Sequence, residues 1–193
     1  MRLYLSSRQP WRCDFAVPDG QVLYKTQSLR NSFGQERIII LKLKSSEIFE
    51  PLAEIEYHTD ESHSRIKVGN RNLGAKKILR KEKWILFGYG ERVFRGPDSH
   101  KYVWKMSSRK SQLFRKNNSQ QPTATFHCPS SGFLSGSLPV SLEIFPQGEH
   151  MIDDILTTFI YMERMRTDMR GRFNLGVGPD ANGDGGGGDG GGG

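Results

Sequence analysis

Five cations lie within eight residues of the chain, at Lys76, Lys77, Arg80, Lys81 and Lys83. Clustered positive side chains attract phosphate groups, and near an anionic membrane each contributes about 1 kcal/mol, screened over a Debye length of about 10 Å at 0.1 M salt. These five residues are therefore a candidate site for an anionic headgroup. The alternative interpretation is a solvated strand edge or loop, where lysine also discourages edge-to-edge pairing.

A second basic cluster carries aromatic residues beside its charges. Its members are Lys105, Arg109, Lys110, Arg115 and Lys116, with Tyr102, Trp104 and Phe114. Basic and aromatic residues together can bind single-stranded nucleic acid by stacking. However, Tyr102 and Trp104 share one face of a strand, and a buried core pair explains them more simply. No RNP, zinc-finger or helix-turn-helix motif is present, so nucleic acid is disfavoured as a partner.

Other residue types that could perform chemistry lack a suitable arrangement. The segment from His58 to His63 contains metal-ligating types but no Cys and no helical H-E-x-x-H spacing, which favours a polar hairpin loop. His127 and Cys128 are adjacent and point to opposite faces of a strand, which indicates an inert cysteine. No nucleophile elbow, P-loop or dinucleotide-binding glycine pattern occurs. We predict no catalytic residue, no metal and no cofactor.

The elements that must position these side chains are mostly strands. Short apolar runs alternate with turn residues, and Asp19-Gly20 is a strong hairpin signal. Strands are predicted at 15–17, 21–24, 37–43, 53–57, 65–68, 92–94, 102–104, 112–115, 123–127 and 140–145. The close spacing predicts an antiparallel sandwich or barrel of about nine to eleven strands.

Residues 150 to 170 break this pattern, because they contain neither Pro nor Gly and their apolar residues recur at helical spacing. Asp153 and Asp154 in the first turn, and arginines at the end, suit the helix dipole. Gly171 is the predicted C-cap. No charge occurs from Ile155 to Met162, and a helix that is apolar all round is expected to be enclosed.

Composition sets the domain organisation. The 193 residues are 35% hydrophobic, which suffices for one domain, predicted at 1–170, followed by a disordered Gly/Asp-rich tail at 171–193. Without that tail the net charge rises from +7 to +9. Two distant cysteines, no signal peptide and no apolar run of about 20 residues predict an intracellular protein with no transmembrane segment, either cytoplasmic or peripheral to a membrane.

Several of these segments resemble a fungal family that is catalogued only as a domain of unknown function and is grouped with the tubby C-terminal-like and LURP-one-related barrels. The resemblance covers roughly residues 3 to 170. Its segments are 51–58, 94, 96–105, 124–127, 142–145 and 151–166, of which Tyr102-Val-Trp-Lys105 and the last are the more specific. It implies an antiparallel β-barrel wrapped around a hydrophobic C-terminal helix.

The resemblance implies no functional residue in this chain. Better-known relatives of the barrel bind phosphoinositide headgroups, but their binding motifs do not align with these residues. The chain departs from the expected pattern in the turn before Tyr102, where Ser99 follows Asp98 and a glycine would suit the turn better.

These observations together favour a non-enzymatic intracellular binding module for anionic phospholipid headgroups. Two alternatives stay open. One is a protein–protein scaffold that uses a sheet edge, which would bind a protein partner. The other, less favoured, is an enzyme whose site converges from distant strands.

Overall fold

A computed structural model describes residues 1–31, 35–45, 47–83, 90–107, 110–128 and 139–174. They form a single antiparallel sheet of thirteen strands and a long C-terminal helix. The strands are β1 Arg2–Leu5, β2 Asp14–Ala16, β3 Val22–Arg30, β4 Glu36–Ser45, β5 Ile48–Tyr57, β6 Arg65–Val68, β7 Arg71–Gly74, β8 Arg80–Lys83, β9 Glu91–Arg95, β10 Lys101–Met106, β11 Ser111–Arg115, β12 Asn118–His127 and β13 Ser141–Ile144. The helices are α1 Ala75–Ile78 and α2 Ile152–Asn174, with a 3-10 turn at Pro146–Met151.

The strand order has two free ends. It runs β7-β6-β5-β4-β3-β2-β1-β13-β12-β11-β10-β9-β8, so the chain's N-terminal strand pairs with its C-terminal one in the middle of the sheet. The edge strands β7 and β8 are consecutive in the chain, but α1 lies between them and they do not pair. The mainly antiparallel β fold is confirmed. Closure into a barrel is not confirmed, because the described sheet has two edge strands that do not pair with each other.

The predicted number of strands, nine to eleven, is too low. All ten predicted strands are present, and β1, β7 and β8 were missed. Strands β7 and β8 read Arg-Asn-Leu-Gly and Arg-Lys-Glu-Lys, so neither shows the alternation of apolar and polar residues that marks a half-buried strand. At the hairpin between β2 and β3, Gly20 has a φ of 90°, as the Asp-Gly signal predicted.

Helix α2 fills the concave side of the sheet. Every residue from Ile155 to Arg166 is buried, which confirms that the helix is enclosed. The Phe159 ring lies 4.8 Å from that of Phe126 and 6.0 Å from that of Trp104, measured between centroids. The Trp104 indole N–H donates to the Thr158 hydroxyl at 3.0 Å, so the one polar group of this ring is satisfied.

The charged end of α2 is also buried. Arg164 donates to Glu36 of β4 at 2.5 Å, and its guanidinium lies 4.6 Å from the centre of the Tyr57 ring. Glu163 accepts hydrogen bonds from Arg166 and from Ser111 of β11, each at 2.5 Å. The sequence had assigned the arginines at this end to the helix dipole. Two of them instead form ion pairs within the core, where an unpaired charge would be costly.

The ends of the helix differ from those predicted. Instead of 150–170, α2 covers Ile152–Asn174. The prediction of Gly171 as C-cap is wrong, because the helix continues through it and Arg172 holds the last turn with an ion pair to Asp168 and a hydrogen bond to the Thr59 carbonyl. The tail predicted at 171–193 therefore begins inside α2, and its residues 175–193 lie outside the described part of the chain. In the parts of the chain that the structure describes, no helix has the length and apolar character to cross a membrane.

Replacing Phe159 by Ala removes a fully buried ring from between the helix and the sheet. We expect the free energy of unfolding to fall by about 3–5 kcal/mol, the usual cost of truncating a buried Phe. Urea denaturation followed by far-UV circular dichroism measures this. The control is Leu29→Ala, at a side chain that is 64% exposed, which should change stability by no more than about 0.5 kcal/mol. Equal effects of the two substitutions would place α2 outside the core.

Candidate functional site

The opening between the two ends of the sheet forms a groove of about 660 Å³, which we call the edge groove. Strands β5 to β7 form one wall, β9 and the turn after it form the other, and the first turns of α2 form the floor. Both walls are largely apolar. Their apolar side chains are Leu52, Ile66, Val68 and Leu73 on one side and Val93, Phe94 and Pro97 on the other. A groove of this size suits a small-molecule ligand, since such sites span about 300–1,000 Å³.

Five exposed cations line the edge groove. They come from β7, α1, β8, β9 and β10 and are Arg71, Lys77, Arg80, Arg95 and Lys101. Within the residues that the structure describes, none of the five lies within 4.0 Å of a carboxylate. Most carboxylates near the rest of the sheet are already paired, for example Glu54 with Arg37 and Glu143 with Arg2. The groove is therefore lined by five cations that have no ion-pair partner within 4.0 Å among the described residues.

A smaller hollow of about 340 Å³, which we call the basic depression, adjoins the edge groove and shares Arg95 and Lys101 with it. All of its lining side chains are polar. They are Arg95, Ser99, His100, Lys101, Arg115, Lys116 and Asn117. Lys116 is paired with Glu82, whereas Arg115 is exposed and forms no ion pair among the described residues. The charged groups of Arg95, Lys101 and Arg115 thus lie beside hydroxyl and amide donors, and all of these groups can bind phosphate oxygens.

The structure divides the basic run predicted from the sequence. Ala75 and Leu79 are buried and anchor α1, and the two lysines between them are exposed. Of the five candidates, Lys77 and Arg80 line the edge groove.

Lys76 and Lys81 are not among the residues that line the groove. Lys76 and Lys81 lie near Asp60 and Glu61, and burial together with the nearby Arg92 lowers the pKa of Lys81. The side chains of Arg80 and Lys81 point in opposite directions because neighbouring residues of a strand lie on opposite faces of the sheet. The side chain of Lys83 lies outside the described residues.

The second basic cluster is also divided. Tyr102 and Trp104 are buried, which confirms the predicted core pair. Arg115 and Lys116 reach the basic depression, while Lys105 lies over the Phe114 ring at 4.9 Å. Lys110 is exposed at the end of the loop before β11, and Arg109 falls outside the described residues.

The residues considered for metal binding or catalysis have structural partners. His63 lies 3.3 Å from Asp60 in the loop before β6, and His127 contacts Glu143 of β13 at 2.9 Å. Cys128 is a half-buried free thiol. In the described ranges of the chain, no three His, Cys, Asp or Glu side chains come close enough together to hold a metal ion.

A tight turn between β9 and β10 positions Arg95 and Lys101. Its centre is Asp98, which accepts hydrogen bonds from the Tyr102 hydroxyl at 2.8 Å and the His100 backbone at 3.1 Å, and also contacts the His100 ring. His150 approaches the same carboxylate at 3.3 Å. The Arg95 guanidinium donates to the Ser99 carbonyl at 2.7 Å. Sequence reasoning missed this cluster, because His150 is distant in the chain.

The turn is tightly packed and conformationally demanding. Ser99 has a φ of 64°, a left-handed conformation that glycine adopts more easily, as the sequence had suggested. At Gly96, a Cβ would lie 2.8 Å from the Tyr102 ring and 2.9 Å from an Asp98 oxygen, so a larger residue does not fit without rearrangement. Arg95 and Lys101, two of the cations of the basic depression, are therefore held on a rigid support.

Two carboxylates at the start of α2 face the edge groove. Asp153 accepts hydrogen bonds from the Tyr24 hydroxyl and the Lys42 ammonium, each at 2.7 Å. Asp154 has no cation within 4.0 Å among the described residues. Burial and the neighbouring charge of Asp153 raise the pKa of Asp154, and Arg71 partly offsets this. The floor of the groove is thus acidic, while its rim is basic.

A comparison with known protein families covers most of the sheet and helix α2. A family described only as being of unknown function, DUF6593, matches residues 8–168. The chain belongs to this family. The DUF6593 match includes both walls of the edge groove, the Gly96–His100 turn and most of α2. No curated protein and no solved structure matches the chain.

The Asp98 cluster predicts a specific loss of stability in acid. Burial alone would raise the pKa of Asp98, but hydrogen bonds from Tyr102 and His100 outweigh it and lower the pKa to about 2, against about 3.9 in an unfolded chain. A lowered folded-state pKa stabilises the fold above pH ~4, and this contribution is lost as the pH falls to about 2.

Urea denaturation of the wild type, Asp98→Asn and Tyr102→Phe between about pH 4 and pH 2 measures how the free energy of unfolding depends on pH. Asp98→Asn should show a shallower decline in stability with falling pH, because the titrating group is gone. Tyr102→Phe should lie between, because it removes one of the hydrogen bonds. Identical slopes for the wild type and Asp98→Asn would show that the turn does not hold Asp98 ionised.

Proposed function

We propose that the chain is a non-enzymatic module that binds anionic phospholipid headgroups at a membrane surface, with the edge groove and the basic depression as its binding site. The supporting observation is that Arg71, Lys77, Arg80, Arg95 and Lys101 line one opening, and that none of them has a carboxylate within 4.0 Å among the described residues. Unneutralised cations next to a concave surface concentrate anions there.

The proposal changes the predicted binding residues. Lys77 and Arg80 are kept from the original run of five, and Arg71, Arg95, Lys101 and Arg115 are added. Lys76 and Lys81 lie beside Asp60 and Glu61, whose charges oppose a phosphate. We therefore assign the binding role to the cations that share the opening.

A cellular location follows from the same proposal. Anionic lipids are enriched in the cytoplasmic leaflet, where juxtaposed cations contribute about 1 kcal/mol each. An intracellular peripheral protein fits that setting. The relationship to tubby C-terminal-like and LURP-one-related barrels, and the fungal origin, stay predictions from the sequence.

The scaffold alternative has one supporting feature. Among the described residues, the outermost strands β7 and β8 have unpaired edges, and edges of this kind can accept a strand from a partner protein. Both are only four residues long and carry basic side chains, which disfavours pairing. Such a complex would survive high salt, whereas headgroup binding would not.

Sedimentation with vesicles tests the proposal. The full chain is mixed with neutral vesicles, with or without a phosphoinositide, over a series of salt concentrations. We expect binding only to the anionic vesicles, weakening as salt rises, because exposed charges are screened. Lys101→Glu changes the site by two charges and should weaken binding roughly tenfold or more.

The matched control is Lys105→Glu, which makes the same change on the same strand, outside the site. It should weaken binding much less than Lys101→Glu. Equal losses would mean that the net charge, rather than the site, drives binding. Absence of binding at low salt would overturn the proposal.

A further inference from the structure

The edge groove and the basic depression differ in chemistry, although they adjoin. The depression is lined only by polar side chains, whereas most of the groove's wall residues are apolar. A headgroup needs only the depression and the cations. The wall side chains that are not buried, chiefly Val68, Leu73 and Pro97, are therefore apolar surface that a headgroup alone leaves in contact with water.

The exposed apolar residues indicate where that surface is most open. Val68 and Leu73 are 40% and 41% exposed, and both line the edge groove on the hairpin of β6 and β7. On the opposite wall Pro97 is exposed, while Phe94 is buried behind it at 4% exposure. Apolar residues on both walls form a slot in which a hydrocarbon segment would be removed from water.

The carboxylates at the floor decide where an anion can lie. Asp154 faces the groove without a cation within 4.0 Å among the described residues, so it repels a phosphate from the floor. In the part of the chain that the structure describes, no acidic side chain lines the basic depression. An anion is thus directed to Arg95, Lys101 and Arg115, while the uncharged part of the same molecule is left to the groove.

We propose that the edge groove holds the hydrocarbon chain of a phosphate-bearing amphiphile whose phosphate lies in the basic depression. This rests on the proposed function and adds to it that one chain of the ligand leaves the bilayer and enters the protein. We infer this class of ligand from the charge complementarity between a phosphate and the basic depression, and from the apolar walls of the groove beside it.

The test uses single-chain ligands in solution, where no membrane surface contributes. Hexyl, octyl and decyl phosphate, each kept below its critical micelle concentration, are titrated into the full chain by calorimetry, with inorganic phosphate as the headgroup alone. Each buried methylene should strengthen binding by up to roughly fourfold until the groove is filled. Inorganic phosphate should bind most weakly.

Three variants locate the chain and the phosphate. Val68→Asn combined with Leu73→Asn should remove most of the gain with chain length, and both sites are exposed enough to accept a polar residue. The control pair is Leu29→Asn with Ile48→Asn, exposed apolar residues outside the groove, and should leave the gain unchanged. Asp154→Asn should strengthen the binding of octyl phosphate severalfold, because it removes a repelling charge.

The outcomes separate this inference from the proposed function. Affinity that rises with chain length, and loses that rise in the Val68/Leu73 variant, supports the inference. Salt-sensitive vesicle binding with no dependence on chain length overturns it but leaves headgroup binding standing. Loss of both vesicle binding and alkyl phosphate binding overturns both. A gain with chain length that persists in the Val68/Leu73 variant contradicts the placement of the chain.

Discussion

The burial of one helix governs the whole structure. Helix α2 is enclosed from Ile155 to Arg166, and its buried charges are paired there. Arg164 is paired with Glu36 of the sheet, while Glu163 binds both Ser111 of the sheet and Arg166 of the helix itself. Glu36 of β4 and Ser111 of β11 provide these contacts from distant parts of the strand order, so the sheet must curl around the helix to make them. Its curvature is thus fixed by polar contacts at one end of the helix and by aromatic packing around Phe159 in the middle.

The same helix explains why the sheet stays open where it does. Its first turns carry Asp153 and Asp154, which need solvent or cations rather than an apolar cover. The two edges of the sheet end over this polar part, and α1 joins them beside it. Several cations elsewhere on the sheet are paired with carboxylates, for example Arg2 and Arg37, whereas the five around the opening have no carboxylate within 4.0 Å among the described residues. The fold and the candidate site are therefore consequences of one distribution of polar residues along α2.

Much of this architecture follows from sequence patterns, and the failures have physical causes. The buried helix was predictable because Ile155 to Met162 carry no charge, and β4 because its run of isoleucines favours a strand. Strands β7 and β8 were not predictable, since short polar edge strands resemble loops in sequence. The site was only half predictable. Proximity in the sequence singled out Lys76 to Lys83, but alternate residues of β8 point to opposite faces of the sheet. Arg71 and Arg95 lie at the candidate site because of the strand register, which no local sequence pattern encodes.

The central claim is that the opening between the sheet edges is the surface that meets an anionic ligand. Hydrogen–deuterium exchange of the full chain, with and without phosphoinositide vesicles, measures this directly. The account predicts slower exchange in the hairpin of β6 and β7, in the Gly96–His100 turn and at the end of β11, with little change in β3 and β4. Slower exchange confined to β3 and β4, with these three segments unchanged in the vesicle-bound protein, would contradict it.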